Sequence, residues 1–137
     1  MNNLTEKTCK NLIEHALKML KFSYAPYSKF NVGAALLSKN KKIYGGCNIE
    51  NSAYGPSNCA ERTAIFKAVS EGVKEFEAIA IVGGHEEIIT DYCSPCGVCR
   101  QVLAEFCDKD FKIICAKSTE DYKIFTLGEL LPESFSL

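Results

Sequence analysis

Cys9, Leu12, Ile13, Ala16, Leu17 and Leu20 recur at three- and four-residue intervals, which predicts an amphipathic helix over residues 5–22. Tyr24-Ala25-Pro26-Tyr27-Ser28 breaks that period with a proline-containing turn. The run from Phe30 to Leu37 reads as a strand, Lys39-Asn40-Lys41 as a turn, and Lys42 to Ile49 as a second strand. A helix is expected from Asn58 to about Ser70, closed by Gly72, followed by a buried strand from Glu77 to Val82 that Gly83-Gly84 ends. Pro95 to about Cys107 reads as a third helix. Strands over Phe111–Ala116 and Tyr122–Thr126, then a helical turn around Gly128–Leu131, complete the chain. Strands alternating with helices predict an α/β fold, three layers α/β/α around a central mixed sheet of about five strands.

Composition narrows the class. A chain of 137 residues with no internal repeat, low-complexity tract or proline-rich linker reads as one domain over 1–137. With 47% hydrophobic and 24% charged residues it is not a disordered chain. Net charge is −1 and the arginines are Arg62 and Arg100, so the cationic footprint of a nucleic-acid binder is missing. No apolar run reaches the roughly 18 residues of a membrane span. Met1-Asn2-Asn3-Leu4-Thr5-Glu6 lacks the charged and apolar regions of a signal peptide, so a cytoplasmic location is expected.

The eight cysteines, at 9, 47, 59, 93, 96, 99, 107 and 115, are unusual for such a chain. Cys9, Cys47, Cys107 and Cys115 sit among apolar neighbours and read as small buried hydrophobes. The remaining four carry chemistry. Ser94 suits an N-cap and Pro95 a first helical position, which would stack Cys96 and Cys99 on the opening turns of a helix, where thiolates are favoured. Cys59-Ala60-Glu61-Arg62 gives a second helix start, with Asn58 as its cap. Three thiolates from two helix N-termini describe a zinc site with one position open, the catalytic pattern.

Three other readings compete. The C-x-x-C could be a redox pair, though that leaves Cys59-Ala60-Glu61 unexplained. Cys93 could join Cys59, Cys96 and Cys99 in a closed structural Cys₄ site around which a non-catalytic binding domain folds. Glu61 could merely complete a capping box with the amide of Asn58.

Several longer motifs follow one another along the chain. They are Tyr24-Ala25-Pro26-Tyr27-Ser28-Lys29-Phe30, Val32-Gly33-Ala34-Ala35-Leu36, Gly46-Cys47-Asn48-Ile49-Glu50-Asn51 and Cys59-Ala60-Glu61-Arg62-Thr63-Ala64. Ser94-Pro95-Cys96-Gly97-Val98-Cys99-Arg100-Gln101 and Leu130-Leu131-Pro132-Glu133-Ser134-Phe135 follow. In this order they resemble the small Cys₃ form of the cytidine deaminase family, and the pattern departs at Tyr54-Gly55-Pro56-Ser57-Asn58, where that family often has bulkier residues.

The resemblance implies hydrolysis of cytidine and deoxycytidine to the uridines, with one zinc per chain on Cys59, Cys96 and Cys99 and Glu61 carrying protons. It implies that Arg62 bonds to the ligand sulfurs and that Phe30, Asn48, Glu50, Tyr54 and Ala60 meet the nucleoside. Asn48 and Glu50 would hold the ribose hydroxyls from one face of a strand. Phe135 would complete a neighbouring subunit's pocket in a homotetramer. An aminopyrimidine-antibiotic deaminase shares the Cys-Ala-Glu and Pro-Cys-x-x-Cys pieces, but Asn48-x-Glu50 favours a nucleoside.

Overall fold

In a computed structural model, residues 4–137 are described; residues 1–3, on which part of the leader reading rests, lie outside them. The elements are α1 (Glu6–Leu20), β1 (Phe30–Ser38), β2 (Ile43–Cys47), α2 (Ala60–Ser70), β3 (Phe76–His85), α3 (Gly97–Phe106), β4 (Lys112–Ala116), β5 (Tyr122–Thr126) and α4 (Leu127–Leu130). The five strands form one sheet in the order β2-β1-β3-β4-β5. β3 and β4 are parallel; the other neighbours are antiparallel, so the sheet is mixed as the alternation predicts.

Alternation along the strands divides the core in two. Ala34 and Leu36 of β1, Ile79 and Ile81 of β3 and Ile113 of β4 face α2 and α3, meeting Ala64, Ile65 and Leu103. Ala35, Ala80, Val82 and Ile114 face the other way, against Leu12, Ile13 and Ala16 of α1. Two helices on one side and one on the other make the three layers. α1 lies very close to β1: a Cβ at Gly33 would stand 2.1 Å from the carbonyl oxygen of Ala16.

Strand pairing brings the two chemical motifs to one end of the sheet. Gly33 is paired with Cys47 at the end of β2 and with Val82 near the end of β3. The segments that leave β2 and β3 there lead directly into α2 and α3.

β3 does not stop at Gly83-Gly84. Both glycines pair with β1 and the strand ends at His85. They are glycines because of crowding: a Cβ on Gly84 would lie 2.1 Å from the Ile88 carbonyl oxygen, and one on Gly83 3.0 Å from the Cys93 sulfur. Cys9, Cys47 and Cys115 are buried as expected, whereas Cys107 is half-exposed at the C-cap of α3. No helix among the described residues is long and apolar enough to cross a membrane.

Candidate metal centre and substrate cavity

The helix starts differ from the expected caps, and the difference puts sulfur at both. The cap of α2 is Cys59, not Asn58. Asn58 is held back in an antiparallel bridge with Ile49, donating its N–H to Ile49 O at 2.8 Å and accepting from Ile49 N at 2.9 Å, while its side chain donates to Thr63 Oγ1 at 3.2 Å. The cap of α3 is Cys96, not Ser94; its sulfur accepts from the backbone N–H of Cys99 at 3.5 Å, and Pro95 is a buried residue of the preceding loop. Each helix therefore begins on a cysteine, with its unpaired N–H groups and positive end beside the sulfurs.

The sulfurs of Cys59, Cys96 and Cys99 all lie within 4.8 Å of one another, with Cys59 and Cys96 3.6 Å apart and Cys96 and Cys99 3.3 Å apart. Zinc–sulfur bonds of about 2.3 Å in a tetrahedron place sulfurs about 3.8 Å apart, so the donor set fits one zinc ion. Cys93 is not in this cluster. Its sulfur lies against Gly83, and burial pushes its thiol up to about 12, the behaviour of a neutral thiol.

Charge within the cluster is unevenly shared. A hydrogen bond from Cys99 and then the guanidinium of Arg62 bring Cys59 down to about 5, while Cys99, bonded to that sulfur, is raised. Arg62 Nη2 donates to Cys59 Sγ at 3.3 Å, so the predicted arginine–sulfur contact is present. Its Nε is buried with no partner among the described residues. Three thiolates with Zn²⁺ sum to −1, and a guanidinium against one sulfur offsets that charge.

Glu61 is 4% exposed at the second position of α2. Burial is the main reason its carboxyl is raised to about 7, with the Cys59 thiolate adding to it. The capping-box alternative fails on geometry, because the amide of Asn58 is already bonded to Ile49 O and Glu61 is not at the third position.

The cluster opens into a cavity of about 550 Å³ whose lining includes Asn48, Glu50, Tyr54, Ala60, Glu61 and Cys93. Asn48 and Glu50 lie beyond the end of β2, which stops at Cys47, so strand alternation is not what aligns them. Asn48 bridges to β1 instead: Oδ1 accepts from Val32 N at 2.9 Å and from Ser23 Oγ, and Nδ2 donates to Phe30 O at 2.8 Å. Glu50 Oε1 accepts from the amides of Tyr27 and Ser28 at 3.0 and 3.1 Å, and Oε2 from the Ser28 hydroxyl. The Ser28 hydroxyl, with these amides, holds Glu50 below the usual carboxylate range.

Phe30 and Phe135 are not among the lining residues. The Phe30 ring edge rests over Gly83, and Phe135 is 67% exposed near α3, where its carbonyl accepts from Gln101 Nε2 at 3.1 Å. Sequence reasoning missed Ser23 as a neighbour of the site. Ser23 is 25 residues from its partner, and no local spacing announces the contact.

The family model for the cytidine and deoxycytidylate deaminase zinc-binding region matches residues 6–115. The chain belongs to that family. A cytidine deaminase of Sporosarcina psychrophila is 50% identical over 127 residues, covering 93% of this chain and 90% of the relative. One from Halalkalibacterium halodurans is 46% identical over 125 residues, covering 91% and 92%. The crystal structure of cytidine deaminase from Burkholderia pseudomallei superposes with a TM-score of 0.83 at 42% identity, covering 91% of this chain and 97% of that one. The similarity to these cytidine deaminases spans both cysteine motifs and the sheet that brings them together.

Proposed function

We propose that this chain catalyses the zinc-dependent hydrolytic deamination of cytidine and 2′-deoxycytidine to uridine and 2′-deoxyuridine, with release of ammonia. Cys59, Cys96 and Cys99 are the ligands of one zinc ion per chain, and Arg62 supports the Cys59 sulfur. The observation that carries this reading is Glu61, a buried carboxyl in the helix turn after a ligand cysteine, lining the cavity beside the sulfur cluster. A carboxyl placed between the cluster and the substrate space is suited to take and return protons within one turnover.

Cys59, Cys96 and Cys99 would hold the zinc ion, which would supply Lewis acidity beside Glu61. Glu61 takes one proton from the attacking water and delivers it to N3 of the pyrimidine, which makes C4 more electrophilic. The water oxygen adds to C4. Glu61 then carries the second water proton to the exocyclic amine, the C4–N bond breaks, and ammonia leaves.

Asn48 and Glu50 hold the ribose hydroxyls. The Asn48 amide is left with one N–H for a ligand after its bonds to Val32, Ser23 and Phe30. Glu50 stays ionised at neutral pH and accepts from hydroxyls, but it would repel a phosphate, which favours free nucleosides over nucleotides. Tyr54 and Ala60 line the same space. Phe30, outside the lining of the cavity with its ring edge over Gly83, would reach the sugar or base side only once substrate is bound, and Phe135 acts on another subunit's site in a homotetramer. The chain is a cytoplasmic, single-domain enzyme of pyrimidine salvage.

The test is ammonia release by purified, zinc-loaded protein given a panel of cytidine, deoxycytidine, their monophosphates and free cytosine. Turnover of the two nucleosides well above the phosphates is expected. Turnover confined to nucleotides or to the free base would overturn the substrate assignment, and none with any member would overturn the activity.

A further inference from the structure

Cys96 is the exposed member of the sulfur cluster, whereas Cys99 is 0% exposed. Packing therefore does little to hold the Cys96 sulfur, and its direction depends on the two peptide planes that flank its Cα. Both planes are pinned by one residue. The backbone N–H of Arg100 donates to the Cys96 carbonyl at 2.9 Å, as the first turn of α3 requires. The Arg100 side chain folds back and donates from Nε to the Pro95 carbonyl at 2.7 Å. The same guanidinium reaches on through Nη1 to the Leu130 carbonyl, also at 2.7 Å.

We infer that Arg100 is a positioning residue for the metal centre, locking the Cys96 sulfur in its ligating direction by tying the Pro95–Cys96 peptide to Leu130. The inference rests on the ligand set proposed above. The Pro95 carbonyl and the Cys96 nitrogen belong to one planar unit, so holding the oxygen fixes the N–Cα axis of Cys96. Pro95 is fully buried and Leu130 is partly buried on the core, so the anchor points are themselves rigid. Arginine meets the two carbonyls from separate nitrogens of one rigid plane, whereas lysine would have to serve both from one ammonium on a flexible stem. The contact also joins the ligand turn to the segment Leu127–Leu130, from which the C-terminal residues continue.

The experiment uses zinc-loaded parent, Arg100→Ala, Arg100→Lys and, as a control for general loosening, Ile114→Val in the core on the α1 side of the sheet. Zinc transfer to a chromogenic chelator is followed over time, and alkylation of the loaded proteins is mapped to individual cysteines by mass spectrometry. Groups that orient metal ligands are typically worth about 10–100-fold in metal retention. Arg100→Ala should therefore release zinc at least about 10-fold faster than the parent. Arg100→Lys should fall between them, and the control should match the parent. Cys96 should be alkylated ahead of Cys59 and Cys99 in the Arg100 variants.

Parent-like release from Arg100→Ala would overturn the inference. So would alkylation rising equally at all three cysteines, or the control releasing zinc as fast as the Arg100 variants. If Arg100→Ala does not accumulate folded, Arg100→Lys decides by the same criteria. The ligand assignment stands apart: it fails if Cys96→Ala keeps its zinc, whatever Arg100 does.

Discussion

At the scale of single residues, burial gives Glu61 opposite effects on stability and on chemistry. The folded protein raises its carboxyl to about 7, above the ordinary 4.5 that an unfolded chain would show. Its neutral form is favoured on folding, so the metal-free protein has the full benefit below about pH 4.5 and loses it as pH rises through about 7. Metal-free Glu61→Gln, which cannot ionise, should melt above the parent at pH 8 and close to it at pH 5, with a gap of at most about 3 kcal/mol. Thermal unfolding of both proteins across that range checks the sign; a gap that widens toward acid would contradict it. The zinc-loaded Gln variant should keep its metal yet lose about 10²–10⁴-fold or more in cytidine turnover, because Gln can perform neither proton transfer. Turnover within a few-fold of the parent would refute the proton-carrier role. Cys93 separates the open site from the closed one: Cys93→Ser should retain one zinc, and Cys96→Ala should lose or greatly weaken it, as metal analysis after dialysis would show.

At the scale of elements, the site depends on how closely α2 sits on the sheet. Gly46 of β2 faces the first turns of that helix, where a Cβ would meet the Ala60 carbonyl oxygen at 2.4 Å and the Ala64 nitrogen at 2.6 Å. Both are backbone atoms and cannot swing aside. Gly46→Ala should therefore cost about 1–3 kcal/mol and, by pushing out the helix that carries Cys59 and Glu61, weaken zinc retention too. Gly55 has nothing within 4 Å of its would-be Cβ. Gly55→Ala should leave both the melting temperature and zinc content near those of the parent.

The same elements show what could be read in advance. The period of α1, the apolar strands and the paired cysteine motifs follow from local pattern, and their order led to the three layers. The caps did not follow. Ser94 and Asn58 are good capping residues, but Asn58 is engaged by Ile49 across the loop and Pro95 is buried ahead of the helix, so the cysteines cap instead. Asn48 and Glu50 share the cavity through bonds to Val32, Ser23 and Ser28, contacts that alternation along a strand does not describe. Gly83-Gly84 looked like a strand end, yet close approach of Cys93 and Ile88, not a turn, is what requires glycine there.

At the scale of the molecule, the proposed homotetramer would complete each cavity with a residue from another chain. Tyr54 stands 77% exposed at its edge, and Tyr27 and Tyr54 frame an adjoining recess of about 300 Å³ that shares Glu50 and Ser57 with it. In the proposed assembly these exposed aromatics would lie where a neighbouring subunit packs. Phe135 is exposed too, yet its backbone is tethered to Gln101 and it is absent from the lining of its own chain's cavity. In the proposed homotetramer, Phe135 would reach the substrate of a second copy. Phe135→Ala, or truncation after Leu131, should therefore raise KM or lower kcat while zinc content and the melting of the individual chain stay near the parent values. Mixing provides the decisive arm. Subunits with Glu61→Gln supply no chemistry but keep Phe135, and subunits with Phe135→Ala keep Glu61. Co-refolded, the two should recover activity that neither has alone, since some sites combine an intact carboxyl with a partner's phenylalanine. No recovery in a mixture shown by sedimentation to have exchanged subunits, or full activity in a monomer, would mean that each chain completes its own site.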